Sequence, residues 1–179
     1  MRPSRAQLEA ARDRLLPDVI APDLRVVFCG INPSLYSAAV GHHFARPGNR
    51  FWPALHGAGW TDRRLDPTED RELLRCGCGL TNTVTRSTAR ADELTAEEIM
   101  AGADRLRRTV ARYRPRCIAF LGLGAFGIAF GVTGRRPGPQ PERIGKASLW
   151  ALPNPSGLNA HYQLPDFVAL FRALRIGVR

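Results

Sequence analysis

Lysine is almost missing from this chain of 179 residues: among its 26 basic residues only Lys146 is not an arginine. Long apolar runs are missing as well. None approaches the roughly 20 residues that a membrane helix needs, and no leader with an apolar core opens the chain. A helical membrane protein is thereby excluded, and a cytoplasmic one is expected. Acidic residues are scarce, 16 in all, which leaves a net charge of +10. With 44% hydrophobic and 23% charged residues, neither a disordered nor a fibrous chain fits. A surplus of bases on a globular domain suits a polyanionic partner, because clustered cations release counterions from phosphates. GC-rich coding could explain arginine in place of lysine, but not the excess of bases over acids. Cysteine is sparse too. Cys29 and Cys117 lie in apolar runs, and Cys76-Gly-Cys78 lacks the two-residue gap of common zinc and cluster motifs. The four read as buried thiols, and no metal or cofactor is expected.

What is present alternates strands with helices. Residues 4–16 read as an amphipathic helix stopped by Pro17, and residues 1–21 as an N-terminal helix and linker ahead of one domain at 22–179. Buried strands are expected at 25–29, 117–121 and 148–152, with a shorter one at 79–84. Helical patterns occupy 49–58, 67–75 and 164–175. Thr95-Ala-Glu-Glu98 is a capping box, so a helix should run from 96 to 113 and end at Pro115. Residues 131–147, rich in Gly, Pro and Arg, read as a mobile surface loop. The fold class expected is α/β: a single-domain three-layer sandwich with a mostly parallel central sheet and helices on both faces.

Gly122-Leu-Gly-Ala-Phe-Gly127 matches a dinucleotide fingerprint, and Glu142 lies 20 residues beyond Gly122. Glu142 falls in a Pro/Gly loop, however, and the 52 residues after Gly127 are too few for a full dinucleotide-binding fold. A tight turn with close helix–sheet packing is the simpler reading, with NAD binding kept as a minor alternative.

Ligands of parallel sheets bind beyond the carboxyl ends of the strands. Gly30-Ile-Asn-Pro-Ser34 follows the first strand and Pro153-Asn-Pro-Ser-Gly-Leu-Asn159 follows the last, so both loops carry Asn-Pro. Proline holds the preceding asparagine in an extended backbone, which fixes its direction. One Asn-Pro alone would read as an Asx turn. Two on one sheet edge weaken that reading.

Four segments in order carry a family likeness: Gly30-Ile-Asn-Pro-Ser34, Gly41-His-His-Phe44, Gly79-Leu-Thr-Asn-Thr-Val84 and Pro153-Asn-Pro-Ser-Gly-Leu158. From about residue 22 to 176 the chain resembles the mismatch-specific uracil/thymine-DNA glycosylases. The resemblance implies an enzyme of base excision repair that flips a deaminated base out of double-stranded DNA carrying uracil or a G·U or G·T mismatch. It implies hydrolysis of the N-glycosidic bond, leaving an abasic site. Asn32 matches the water-positioning asparagine and Thr88 a threonine that helps hold the water. Phe44 matches the aromatic that stacks on the base; Ile31, His43, Asn82 and Asn154 fall at base-binding positions. Leu158 matches the wedge that fills the vacated stack, Gly157 and Asn159 would meet the opposite guanine, and Ser156 would grip a phosphate.

Ser34 stands where the family commonly has glycine, which predicts a narrower pocket near the base's C5 edge. No aspartate beside the first motif could serve as general base, which predicts modest turnover. Nicking by a Schiff base needs an amine, and besides the terminal amine the chain offers only Lys146, with no motif around it, so a monofunctional enzyme is expected. The expected enzyme is also monomeric and nucleoid-associated. Removal of uracil from single strands or of hypoxanthine is the nearest alternative; a non-catalytic DNA-binding module is the next. The six arginines between 105 and 116 read as including a solvated helix face.

Overall fold

The computed structural model describes residues 2–178. Five strands, β1 (Val26–Gly30), β2 (Cys78–Asn82), β3 (Cys117–Leu121), β4 (Gly138–Ile144) and β5 (Ala147–Leu152), form one sheet in the order β2-β1-β3-β5-β4. All neighbours are parallel except β4, which runs antiparallel to β5. The helices are α1 (Arg5–Glu9), α2 (Leu35–Val40), α3 (Phe51–Gly57), α4 (Ala96–Tyr113), α5 (Leu123–Phe130) and α6 (Leu164–Gly177). A 3-10 segment spans Pro67–Cys76. The expected α/β three-layer sandwich is the observed one.

The two-residue side-chain period of a strand sorts the core into two layers. Val26 and Phe28 of β1 face Phe51, Leu55, Phe167 and Phe171 of α3 and α6. Val27 and Cys29 turn the other way, towards Leu106 and Val110 of α4 and Phe126 of α5. Because both faces are covered, β1, β3 and β5 are largely apolar along their length rather than alternating. Thr95 caps α4 as its sequence predicts: its hydroxyl accepts the Glu98 N–H at 3.2 Å and Glu98 returns a bond to the Thr95 N–H.

Three segments differ from the sequence expectation. Residues 138–144 form a strand, where 131–147 read as a mobile loop. Pro139 and Pro141 obscure it, but an edge strand tolerates residues without an N–H. Its ladder with β5 shifts register between Gln140 and Arg143. The helix expected over 4–16 is confined to Arg5–Glu9. Asp13 takes a left-handed backbone (φ 60°) and the chain turns to dock on the segment around Ser87, through Asp13 N–H to Ser87 O at 3.1 Å and Ser87 N–H to Arg14 O at 3.2 Å. The linker then runs along the outer edge of β2, where Val19 and Leu80 exchange both backbone bonds (2.9 and 2.7 Å). Finally, α2 was not expected. At six residues it is too short for a periodic signal, and Ser34 caps it by accepting the Ser37 N–H at 3.1 Å.

Candidate active site

Beyond the carboxyl ends of β1, β2 and β5 opens a cavity of about 630 Å³, a size within the range of ligand clefts. Gly30, Ile31, Asn32, Phe44, Asn82 and Leu158 are among its lining residues. The two loops after β1 and β2 continue past the sheet as a zipper: Thr83 N–H to Gly30 O and Val84 N–H to Ile31 O at 2.8 Å, then Thr88 N–H to Pro33 O at 3.2 Å and Leu35 N–H to Thr88 O at 3.1 Å. That pairing sets Asn32 opposite Arg86 and Thr88.

The Asn32 amide has only one consistent orientation. Its nitrogen lies 3.1 Å from the Arg86 carbonyl, which can only accept, and 2.7 Å from the Thr88 hydroxyl. The Thr88 hydroxyl gives its own proton to Arg90 O at 2.7 Å, so it must accept from Asn32. Both amide hydrogens are thus engaged, and Oδ1 remains as the uncommitted acceptor of a residue that lines the cavity. Thr88 is buried and orients Asn32. The Arg86 backbone is itself anchored, since its guanidinium donates to Glu98 at 2.5 and 3.0 Å and to Asp13 at 3.2 Å. Beside Arg86, the Glu98 carboxyl is held down at about 2.

A second asparagine is oriented by a comparable chain of partners. His43 is buried, and its Nε2 lies 3.0 Å from the carbonyl of Pro17. A carbonyl only accepts, so Nε2 carries the proton. Burial pushes the imidazole's pKa below its ordinary value, outweighing the raising effect of the Pro17 bond, so the neutral ring leaves Nδ1 as a lone pair. The Asn82 amide nitrogen lies 3.5 Å from that lone pair, and its Oδ1 therefore faces the opposite way. A Cβ added to Gly30 would sit 2.5 Å from Asn82 Oδ1 and 3.4 Å from the Phe44 ring, which explains glycine at the end of β1. The Asn82 carbonyl accepts from Arg105, whose guanidinium also reaches Asp18 (3.3 Å) and Thr81 (3.2 Å). One strap, Pro17-Asp18-Val19, thus holds both His43 and the end of β2.

Phe44 stacks on Phe51 with ring centres 4.2 Å apart and planes at 23°. Its backbone is left-handed (φ 53°), a conformation that costs an aromatic residue about 1–2 kcal/mol and persists because the surrounding contacts hold it. Ile31 lines the cavity, while its side chain closes on Gly122, where a Cβ would come within 2.8 Å. Gly127 likewise approaches Val132 O to 2.7 Å from such a Cβ. Two of the fingerprint's glycines therefore stand at close packing contacts.

The loop after β5 is self-bonded. Asn154 Oδ1 accepts the Ser156 N–H (3.1 Å) in the Asx turn that its sequence allows, and Asn159 Nδ2 donates back to Asn154 O (3.0 Å). Ser156 Oγ accepts the Leu158 N–H at 3.3 Å. Asn154, Ser156, Leu158 and Asn159 all line the cavity, and Leu158 is 71% exposed at the loop tip. Gly157 lies at the same tip, packed on Gly48.

The structure thus gathers every residue singled out from the motifs around one cavity and its rim. Sequence reasoning missed Arg105, Pro17 and Arg50. Arg105 lay hidden in a run of arginines, five of which are exposed; Pro17 contributes only a backbone carbonyl. Ser34 lines the cavity, but its hydroxyl is engaged with Ser37. Among the described residues no cluster of His, Cys, Asp or Glu has the makings of a metal site. Among the described residues no helix is long and apolar enough to cross a membrane. In comparison with known families, a model described as the uracil DNA glycosylase superfamily matches residues 17–175.

Proposed function

The chain belongs to the uracil DNA glycosylase superfamily, whose members are DNA repair hydrolases acting on deaminated bases, and from that premise we propose a uracil excision reaction at the Asn32 cavity. The preferred substrate is double-stranded DNA with uracil opposite guanine, with thymine opposite guanine and ethenocytosine as further candidates. The observation that carries this reading is the engaged amide of Asn32, which leaves one fixed acceptor for water.

Uracil leaves with the electron pair of the N1–C1′ bond, and the sugar takes on oxocarbenium character. Water held by Asn32 Oδ1 adds its oxygen to C1′; the proton it sheds balances the one taken up by the departing uracil anion. An amide cannot take that proton near neutral pH, so Asn32 contributes position alone. Thr88 acts through Asn32, fixing which way its amide points.

Asn82 Oδ1 accepts the N3–H of uracil. Cytosine presents a lone pair at N3, and an acceptor facing it loses its hydrogen bond at a penalty of about 1–3 kcal/mol. Phe44 stacks on the flipped base, a contact worth roughly 1–3 kcal/mol. Ile31 and Asn154 complete the wall, Leu158 enters the vacated stack, and Ser156, Gly157 and Asn159 meet the backbone and opposite strand.

The reaction stops at the abasic site. Lys146 lies in the turn between β4 and β5, at the opposite end of β5 from the cavity. Its amine is poorly placed for a Schiff base.

A panel of oligonucleotides separates the substrate classes: uracil, thymine, hypoxanthine and ethenocytosine, each opposite guanine and in single strands. Uracil opposite guanine should be excised fastest. Faster release of hypoxanthine, or of uracil only from single strands, would replace this substrate assignment.

A further inference from the structure

Arg50 occupies the position just before α3, where helices ordinarily place Ser, Thr, Asp or Asn. It makes no side-chain cap bond. Asn49 does that work instead, its Oδ1 accepting the Phe51 N–H at 2.9 Å. The Arg50 guanidinium crosses to the loop after β5. Its Nη1 donates to the carbonyls of Ser156 (3.1 Å) and Asn159 (2.9 Å), and the Arg50 N–H donates to Pro155 O at 2.8 Å. The guanidinium also lies 6.0 Å from the centre of the Phe167 ring. Two residues earlier, Gly48 meets Gly157 so closely that a Cβ on Gly157 would come within 2.8 Å of the Gly48 carbonyl.

Apart from the Phe167 contact, the contacts of Arg50 and Gly48 fall on the loop whose tip is Leu158. A side chain that enters a base stack works against an unstacking cost of a few kcal/mol, so a yielding loop loses the benefit of insertion. Arg50 ties the carbonyl before the tip and the carbonyl after it to one nitrogen. The segment that supplies this brace, 46–50, leads directly from Phe44.

Resting on the glycosylase reading above, we propose that Arg50 is a positioning residue that braces the Leu158 loop for insertion into duplex DNA and links it mechanically to the Phe44 stacking segment. Ser156 and Asn159 present their carbonyls inward to Arg50, which turns the Leu158 side chain outward.

The test uses single-turnover excision of uracil from two substrates, a G·U duplex and the same duplex with uracil inside an unpaired bubble, where no stack needs filling. For Arg50→Gln the ratio of duplex to bubble rates should fall about tenfold or more, and Arg50→Gln combined with Leu158→Ala should lose little beyond Leu158→Ala alone, because both remove one insertion event. Arg50→Lys keeps hydrogen-bond donors near both carbonyls and should recover part of the ratio. It also provides a folded comparison if the glutamine variant is unstable. Equal losses on duplex and bubble, or a shallower salt dependence by about one charge, would overturn the brace and make Arg50 a phosphate contact. Absence of wild-type excision from both substrates would instead remove the glycosylase reading itself.

Discussion

At the scale of single residues, the site is built from asparagines whose amides are oriented by groups that can only accept. Arg86 O orients Asn32, and Pro17 O acts on Asn82 through the tautomer of His43. This gives His43 a pH signature. Its folded-state pKa lies below the ordinary 6.5, so the unfolded chain takes up the proton first as pH falls. The stability associated with neutral His43 is complete above about 6.5 and declines below it. Protonation would place a second donor against the Asn82 amide nitrogen and disorder the acceptor offered to the base. The pH–rate profile for uracil excision should therefore show an acid limb with its midpoint below 6.5, absent in His43→Gln. A limb centred above 6.5, or one unchanged in that variant, would contradict the tautomer argument.

At the scale of elements, the loops after β1 and β2 act as one unit, because the backbone zipper from Gly30–Thr83 to Leu35–Thr88 fixes their separation. Thr88 is the side chain that reports on this. Thr88→Val removes the acceptor for one Asn32 hydrogen and should slow single-turnover excision about two- to tenfold, in line with one hydrogen bond, while Thr88→Ser restores it. A valine variant as fast as wild type would show that the loops alone orient Asn32. The elements that bear this site were legible in the sequence: β1, β3 and β5 as apolar runs, α4 from its capping box, and the Asn-Pro loops by their place after strands. What was not legible depends on tertiary pairing. The prolines of β4 are compatible with a strand only at a sheet edge, and α1 ends early because residues 13–15 find partners around Ser87. Arg50 and Arg105 were illegible for the same reason, since each acts through carbonyls distant in sequence.

At the scale of the whole molecule, the net charge of +10 is not confined to the cavity, which Arg46 and Arg90 line. Arg107, Arg108, Arg112, Arg114 and Arg116 are exposed along and just beyond the carboxyl-terminal half of α4. That end of α4 leads into β3, and so lies at the opposite end of the sheet from the cavity. Positive charge can attract DNA, whereas in the proposed reaction selection and chemistry fall to the uncharged side chains Asn32, Phe44 and Asn82. The carboxylate that lines the cavity, Asp92, is exposed and paired with Arg90, so in the proposed reaction the contribution of Asn32 rests on position. The most direct measurement is incubation of a G·U duplex with the full chain and with Asn32→Ala, each read with and without alkali. Wild type should yield a strand break only after alkali, and Asn32→Ala should slow its appearance by at least about 10²-fold while still binding the duplex. No alkali-labile site with wild type, a break that needs no alkali, or an undiminished rate for Asn32→Ala would contradict the account.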